Sequence, residues 1–147
     1  MTNARILQLT NTTIGAITTN GNMPLGVITL VHPFDTSNCY PTYTVSSSNA
    51  DTLVINKSGV YNVLYNASVV ATAAGDVVFE LKVNGVTKYT VTETATAAGT
   101  VNITIPYEVY VPCNCPSVPG SVPAYIQVQS TGVALTSGTS NMIVSKE

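Results

Sequence analysis

Three cysteines and a single histidine are the residues of this 147-residue chain best equipped for chemistry. Cys113 and Cys115 form a Cys-x-Cys element between Pro112 and Pro116, while Cys39 stands far upstream beside Tyr40 and Pro41. Thiols one residue apart close a strained ring, so a bridge would join Cys39 to one of the pair and leave an odd thiol. The same three thiols also make an incomplete zinc site, which asks for four ligands and would need His32 or a second copy of the chain. Free thiols, one disulfide and a metal site all remain open at this level.

His32 closes an apolar run just before Pro33, and acid–base work would require a partner that orients it; only Asp35 is near in sequence. The histidine therefore reads as structural. The acidic residues Asp35, Asp51, Asp76, Glu80, Glu93, Glu108 and Glu147 are spread singly, with no repeated spacing that would pair two of them in a cleft. Glu80 and Glu108 fall on outward strand faces, where they serve solubility. The sequence has no phosphate-binding glycine loop, nucleophile elbow or metalloprotease motif. It predicts a protein that is not an enzyme, with no catalytic residue and no cofactor.

Charged residues are 8% of the chain, far below the roughly 25% usual in soluble domains. A surface this poor in charge suits a protein packed against copies of itself or a larger assembly. Arg5, Lys57, Lys82, Lys88 and Lys146 are scattered, so no basic patch is available for nucleic acid or an anionic membrane. The first residues lack a basic start followed by an apolar stretch, so no secretory signal is expected and synthesis in a host cytoplasm is. The apolar run from Leu25 to Val31 is too short to span a bilayer. Four tripeptides fit the N-glycosylation pattern, at Asn11, Asn56, Asn66 and Asn102, as a chain rich in Asn and Thr produces by chance.

The elements that must carry these residues are strands. Val77, Phe79, Leu81 and Val83 alternate with Val78, Glu80 and Lys82, then Asn84-Gly85 supplies a type I′ hairpin turn into a returning strand from Val86 to Thr92. Val101, Ile103, Ile105, Tyr107, Val109 and Val111 form a second alternating face, on a strand that Pro106 marks as an edge or a bulge. From Gly59 to Val70 one face holds Tyr61, Val63, Tyr65, Ala67 and Val69, and the other is partly apolar at Val60 and Leu64. That strand needs two apolar neighbours, a core and something beyond it. Shorter strands are expected at Val27 to Val31, Thr42 to Val45, Leu53 to Ile55, Tyr125 to Gln129, Val133 to Thr136 and Met142 to Ser145. No stretch keeps helical spacing, so the fold class is all-β, an antiparallel jelly-roll sandwich with essentially no helix. Residues 1–24, rich in Thr, Asn and Gly, read as a first strand or an anchoring arm, and residues 25–147 as the jelly roll.

The stretches LVINKSGVYNVLYNASV (Leu53 to Val69), TAAGDVVFELKVNGV (Thr72 to Val86) and AGTVNITI (Ala98 to Ile105), a strand at Ile126 to Val128 and a terminal hairpin ending in MIVSKE carry a resemblance. They resemble the jelly-roll domains of the tumour-necrosis-factor and complement superfamily, in its compact bacterial and phage form, including the C-terminal domains of spore-surface collagen-like glycoproteins. Gly59 and Tyr61 match most directly. The resemblance implies a homotrimer with inner sheets meeting at a threefold axis, which makes Val60, Tyr61, Leu64, Tyr65, Tyr107 and Tyr110 candidates for core or interface. The chain departs from the family in lacking a collagen-like stalk and a calcium-ligand cluster, and in carrying its CNCP loop. With its polar N-terminal segment it is also similar to phage head-fibre and capsid decoration proteins. The expected function is a structural protein of a virion, attached to a capsid protein by its N-terminal segment. The alternative is a module that binds a receptor or surface glycan, with Tyr40, Tyr43 or Tyr89 as stacking platforms.

Overall fold

The computed structural model describes residues 6–32, 42–46, 50–112 and 123–147. Among them the chain forms eleven strands and no helix. In order these are β1 (Ile6–Ile14), β2 (Gly21–Asn22), β3 (Val27–His32), β4 (Tyr43–Val45), β5 (Leu53–Ile55), β6 (Gly59–Ala71), β7 (Gly75–Val83), β8 (Val86–Ala95), β9 (Thr100–Val111), β10 (Ala124–Ser130) and β11 (Leu135–Lys146). They pair antiparallel into two sheets. Sheet A runs β3-β1-β11-β6-β9, sheet B runs β4-β5-β10-β7-β8, and β2 adds to β10. Neighbours in each sheet are mostly distant in sequence, the crossing pattern of a jelly roll.

Period-two patterning decides which side of each strand faces in. β6 buries Tyr61, Val63, Tyr65, Ala67, Val69 and Ala71, and β7 buries Val77, Phe79 and Leu81 from the opposite sheet. Ile103, Ile105, Val109 and Val111 of β9 and Ala124, Ile126 and Val128 of β10 complete the same layer. Tyr65 meets Phe79 across the sandwich with ring centroids 6.4 Å apart, and Tyr43 packs edge-on against Tyr61 at 6.0 Å. The Tyr61 hydroxyl donates to the Lys57 carbonyl at 2.8 Å, which satisfies the one polar atom this ring carries into the core. Burial pushes the Tyr61 phenol up to about 12 and raises those of Tyr43 and Tyr65 as well; for Tyr65 the Ser140 hydroxyl beside it offsets part of the rise.

The hairpin of β7 and β8 turns as its sequence predicts, with positive φ at both Asn84 (53°) and Gly85 (80°). Asn84 also ties the turn to the adjacent strand, accepting from the Tyr125 amide at 2.8 Å through its side chain and donating its own amide to the Tyr125 carbonyl at 2.9 Å. β9 is the edge strand that Pro106 announced, and its register with β6 runs without a shift from Gly59↔Val111 to Val70↔Thr100.

Two expectations are refined. Of the two readings of residues 1–24, the described part follows the first strand: β1 lies inside sheet A between β3 and β11, with Leu7, Leu9 and Ile14 buried, and Met23 and Leu25 also belong to the core. The short alternation Leu7–Leu9 was masked by the Thr and Asn that follow it. The separate strands expected at Val133 to Thr136 and Met142 to Ser145 are one long strand, β11, whose polar middle TSGTSN is held by ladders to β6 and β1 on both sides. Gly26, at φ 91°, lets the chain turn from β2 into β3, since a Cβ there would lie 2.2 Å from the Thr10 carbonyl oxygen.

Leu9→Ala is expected to cost about 2–5 kcal/mol in denaturant unfolding, as a core truncation does; a value near zero would return β1 to the status of an arm. The raised phenols make a second prediction, with a definite sign. A group whose folded pKa is raised contributes stability that is complete below its unfolded value, near 10 for tyrosine, and that is lost as pH climbs through the folded value. Strand content followed by circular dichroism is therefore expected to fall together with the rise of phenolate absorbance between about pH 10 and the Tyr61 value of about 12. Full ionisation of all eight tyrosines with the strand signal intact would contradict the place of Tyr43, Tyr61 and Tyr65 in the core.

Candidate functional site

The two sheets bury equivalent inner faces but present different outer ones. The outer face of sheet B is hydrophilic and carries charge. Asp76 accepts from Thr94 at 3.1 Å, Glu80 from Thr87 at 3.3 Å, and Lys82 stands opposite Gln127. Gln127 donates to Thr52, Thr52 to Asp51, and Asn22 to Asp51, at 2.8, 3.0 and 3.2 Å, so polar links run over much of this surface, with Tyr125, 45% exposed, beside Val54 as its apolar part.

The outer face of sheet A is built in layers along its strands. One cross-strand row reads Leu30, Gln8, Ile143, Leu64, Pro106. Leu30 and Leu64 are 45% and 38% exposed. The next row toward one end reads His32, Ile6, Ser145, Asn62, Glu108, and beyond it Val60 pairs with Tyr110, which is 70% exposed. Toward the other end the face is mostly amide and hydroxyl: Val27, which is 67% exposed, Thr10, Asn141, Asn66 and Thr104 in one row, then Thr139, Ser68 and Asn102. Thr104 donates to Asn66 at 3.0 Å, whereas the buried Oδ1 of Asn141 accepts nothing. A hollow of about 480 Å³ lies over the apolar row, between Leu64, Pro106 and Ile143, and another of about 360 Å³ over the polar rows.

The candidate interface residues divide between the two sides of sheet A. Val60, Leu64 and Tyr110 are on the outer face, as a contact surface requires. Tyr61 and Tyr65 are fully buried between the sheets and cannot touch a partner; their alternation with Val60 and Leu64 turns them inward. Tyr107 is opposite the inward Val63, half-buried at the β9 edge, where it lines a groove of about 260 Å³ with Val83, Lys88, Glu108, Val109 and Tyr110. Ile6, Leu30, Pro106 and Ile143 share the outer face and were not singled out from the sequence. Ile143 had a signal, because in Met142-Ile143-Val144 three apolar residues in succession leave one facing away from the core.

Of the stacking candidates, Tyr43 is buried against Tyr61 and offers no platform, and Tyr89 is partly exposed on β8. Tyr40, Cys39, Cys113 and Cys115 lie outside the described residues. His32 is exposed at the end of β3. Among the described residues no three His, Cys, Asp or Glu side chains gather closely enough to hold a metal, and no helix is long and apolar enough to cross a membrane.

The sequence matches no protein-family model and no curated protein. The fold does have relatives among solved structures. The Eiger tumour necrosis factor of S. frugiperda superposes with a TM-score of 0.70 at 10% identity, over 99% of this chain and 94% of that one. The globular domain of zebrafish complement 1qA gives 0.64 at 7% identity, over 95% and 94%. The chain carries a tumour-necrosis-factor/complement-like jelly-roll domain. PRD1 vertex protein P5 shares this jelly roll, with a TM-score of 0.57 at 18% identity over 99% of both chains. At these identities the likeness concerns the fold, and the layered face of sheet A is a property of this chain's own residues.

Proposed function

We propose that this jelly roll is a non-enzymatic structural protein of a virion, a capsid decoration or head-fibre protein, that assembles as a homotrimer through the outer face of sheet A. The observation that carries the reading is the contrast between the two outer faces. Sheet B carries Asp76, Glu80 and Lys82 on its outer side, while sheet A presents Ile143, Leu64 and Pro106 side by side, with Leu30 beyond Gln8 in the same row and Ile6, Val60 and Tyr110 in the rows beside it. A contiguous apolar band on one face of a protein with this little charge is a contact surface. The whole outer face of sheet A, five strands about 4.8 Å apart and about nine residues long, measures about 700 Å², close to the roughly 800 Å² per partner of a standard stable interface, and the apolar band is its middle part.

A second copy is the partner that fits, because the surface has no strong charge to complement and its apolar, acidic and amide layers match themselves. The likeness to PRD1 vertex protein P5, end to end in both chains, supports a virion setting. Attachment to a capsid protein through the N-terminal segment would use its exposed residues, Thr12, Thr13, Gly15, Ala16 and Thr18 to Asn20 among them, since Leu7, Leu9 and Ile14 are committed to the core. The β9-edge groove supports a second, lesser reading as a glycan site: the exposed Tyr110 offers a stacking face, and Lys88 and Glu108 offer hydrogen-bonding groups.

Light scattering of the purified chain is expected to give three times the chain mass, and the double variant Leu64→Asp/Ile143→Asp a single chain with unchanged circular dichroism. Wild-type chain that stays monomeric at all concentrations would overturn the trimer. Saccharide binding lost in Tyr110→Ala, with the wild type monomeric, would move the weight to the glycan reading.

A further inference from the structure

The chain holds two Asn-Gly pairs, Asn20-Gly21 and Asn84-Gly85. Both asparagines have positive φ, 70° and 53°, and the two pairs sit at opposite ends of β10, where the Asn20 amide donates to the Ser130 carbonyl and the Asn84 amide to that of Tyr125. In such a pair the glycine nitrogen, once deprotonated, is a nucleophile toward the side-chain carbonyl carbon of the asparagine, because glycine has no side chain to shield it. The fold treats the two pairs differently.

Asn20-Gly21 is held on every side. The Asn20 amide bond to Ser130 is 2.7 Å long, the Asn20 carbonyl accepts from Gln129 Nε2 at 2.8 Å, and Gly21 pairs with Ser130 in the ladder of β2 with β10. The nitrogen that would attack is itself engaged, donating to the Thr18 carbonyl at 2.9 Å. Gly21 is also crowded, since a Cβ there would lie 2.9 Å from that carbonyl oxygen and 3.1 Å from Ile17 Cγ2. Turning this amide toward the Asn20 side chain breaks its hydrogen bond and pulls β2 off β10.

At Asn84-Gly85 the constraints fall on Asn84 alone. Its Oδ1 accepts from the Tyr125 amide at 2.8 Å, and its own amide donates to the Tyr125 carbonyl at 2.9 Å. The donor on Oδ1 polarises the side-chain carbonyl and stabilises the negative oxygen that attack at Cγ creates. Gly85 has no anchor. Among the described residues its amide meets no acceptor, both residues are exposed, and nothing lies within 4 Å of the space a Cβ would take. The peptide plane between them turns at the hairpin tip without displacing a neighbour.

We propose that Asn84 is a site of intramolecular deamidation in the folded protein, with the Gly85 nitrogen as nucleophile, while the fold protects Asn20. The deprotonated nitrogen bonds to Asn84 Cγ, the Cγ–Nδ2 bond breaks, and Nδ2 leaves as ammonia after taking a proton from water, which closes a succinimide. Water then opens the ring. Attack at Cγ leaves aspartate, and attack at the backbone carbonyl carbon leaves isoaspartate, in which the chain continues through the former side chain. Either route converts an amide and water into a carboxylate and ammonia, with no change of oxidation state. Aspartate keeps an acceptor for the Tyr125 amide and adds a negative charge to a chain of net charge -2. Isoaspartate lengthens the backbone by a methylene, so the turn no longer fits the Val83↔Val86 pair and the tip of the hairpin comes away from β10. The turn belongs to sheet B, so the reaction proceeds with or without assembly through sheet A.

Incubation of the full chain at about pH 8, below the ionisation of its tyrosines, tests this when peptide mapping by mass spectrometry follows the mass gain of an amide turned acid at each asparagine. Asn84 is expected to convert at least about tenfold faster than Asn20 in the folded chain, a modest difference in barrier height, and the two at similar rates in denaturant. Between about pH 7 and about pH 9 the Asn84 rate is expected to rise about tenfold per unit, as the deprotonated nitrogen becomes more abundant. Asn20 matching or outpacing Asn84 in the folded chain would overturn the proposal. So would a folded chain that keeps Asn84 intact for as long as the denatured chain takes to convert both.

Discussion

The contact between the inner faces of the two sheets is what the remainder of the molecule hangs on. Strands buried on one side stand about 10 Å from the opposite sheet, and that gap has to be filled without voids. Here Tyr61, Tyr65 and Phe79 fill its middle, and Leu, Ile, Val and Met from both sheets fill the ends. Each tyrosine brings a hydroxyl into this layer. Tyr61 discharges its own on the Lys57 carbonyl, at the sandwich margin. Once the inner layer is set, strict alternation leaves no freedom for the outer faces. Leu64 must point out because Val63 and Tyr65 point in, and Ile143 must point out because Met142 and Val144 point in. The apolar row of sheet A is therefore a fixed consequence of core packing, and a one-residue slip of β6 would destroy both at once.

Features governed by near neighbours in the chain were legible in the sequence. The alternation from Val77 to Val83, the Asn84-Gly85 turn and the Tyr61/Tyr65 against Val60/Leu64 division all depend on residues within a few positions of each other. Features governed by distant pairing were not. β1 holds its place because it lies between β11 and β3, partners more than a hundred and about twenty residues away, and its own residues after Leu9 are Thr and Asn with no inward apolar signal until Ile14. The polar middle of β11 is a strand for the same reason: both its edges are occupied, so the ladder supplies what propensity does not.

The candidate site was legible in halves. Val60, Leu64 and Tyr110 were recognisable as apolar residues on the wrong side of alternating strands. Their gathering on one face with Ile143, Ile6 and Leu30, in neighbouring rows, required the register across five strands, and no local pattern encodes a register between residues 64 and 143 or between 8 and 30. That Glu108 and Glu147 both come to lie beside Asn62 was hidden for the same reason. Two acids separated by 39 positions look like isolated solubilising residues until β9 and the end of β11 are both placed against β6.

Scarcity of charge gives the placement of the few charged residues its meaning. A β-sandwich with open edges and an apolar outer row is exposed to indiscriminate strand pairing, and most proteins guard such surfaces with scattered lysines and glutamates. This chain places Asp76, Glu80, Lys82, Lys88 and Glu93 on the strands of sheet B, and Glu108 and Glu147 together at one end of sheet A. The distribution separates the two tasks. Charges on sheet B favour contact of that face with water, and Glu108 does the same at the edge of sheet A, one row from Leu64 and Pro106. The outer face of sheet A is thus apolar in the middle, acidic at one end and mostly amide at the other, and this layering needs no residue beyond those that strict alternation already turns outward.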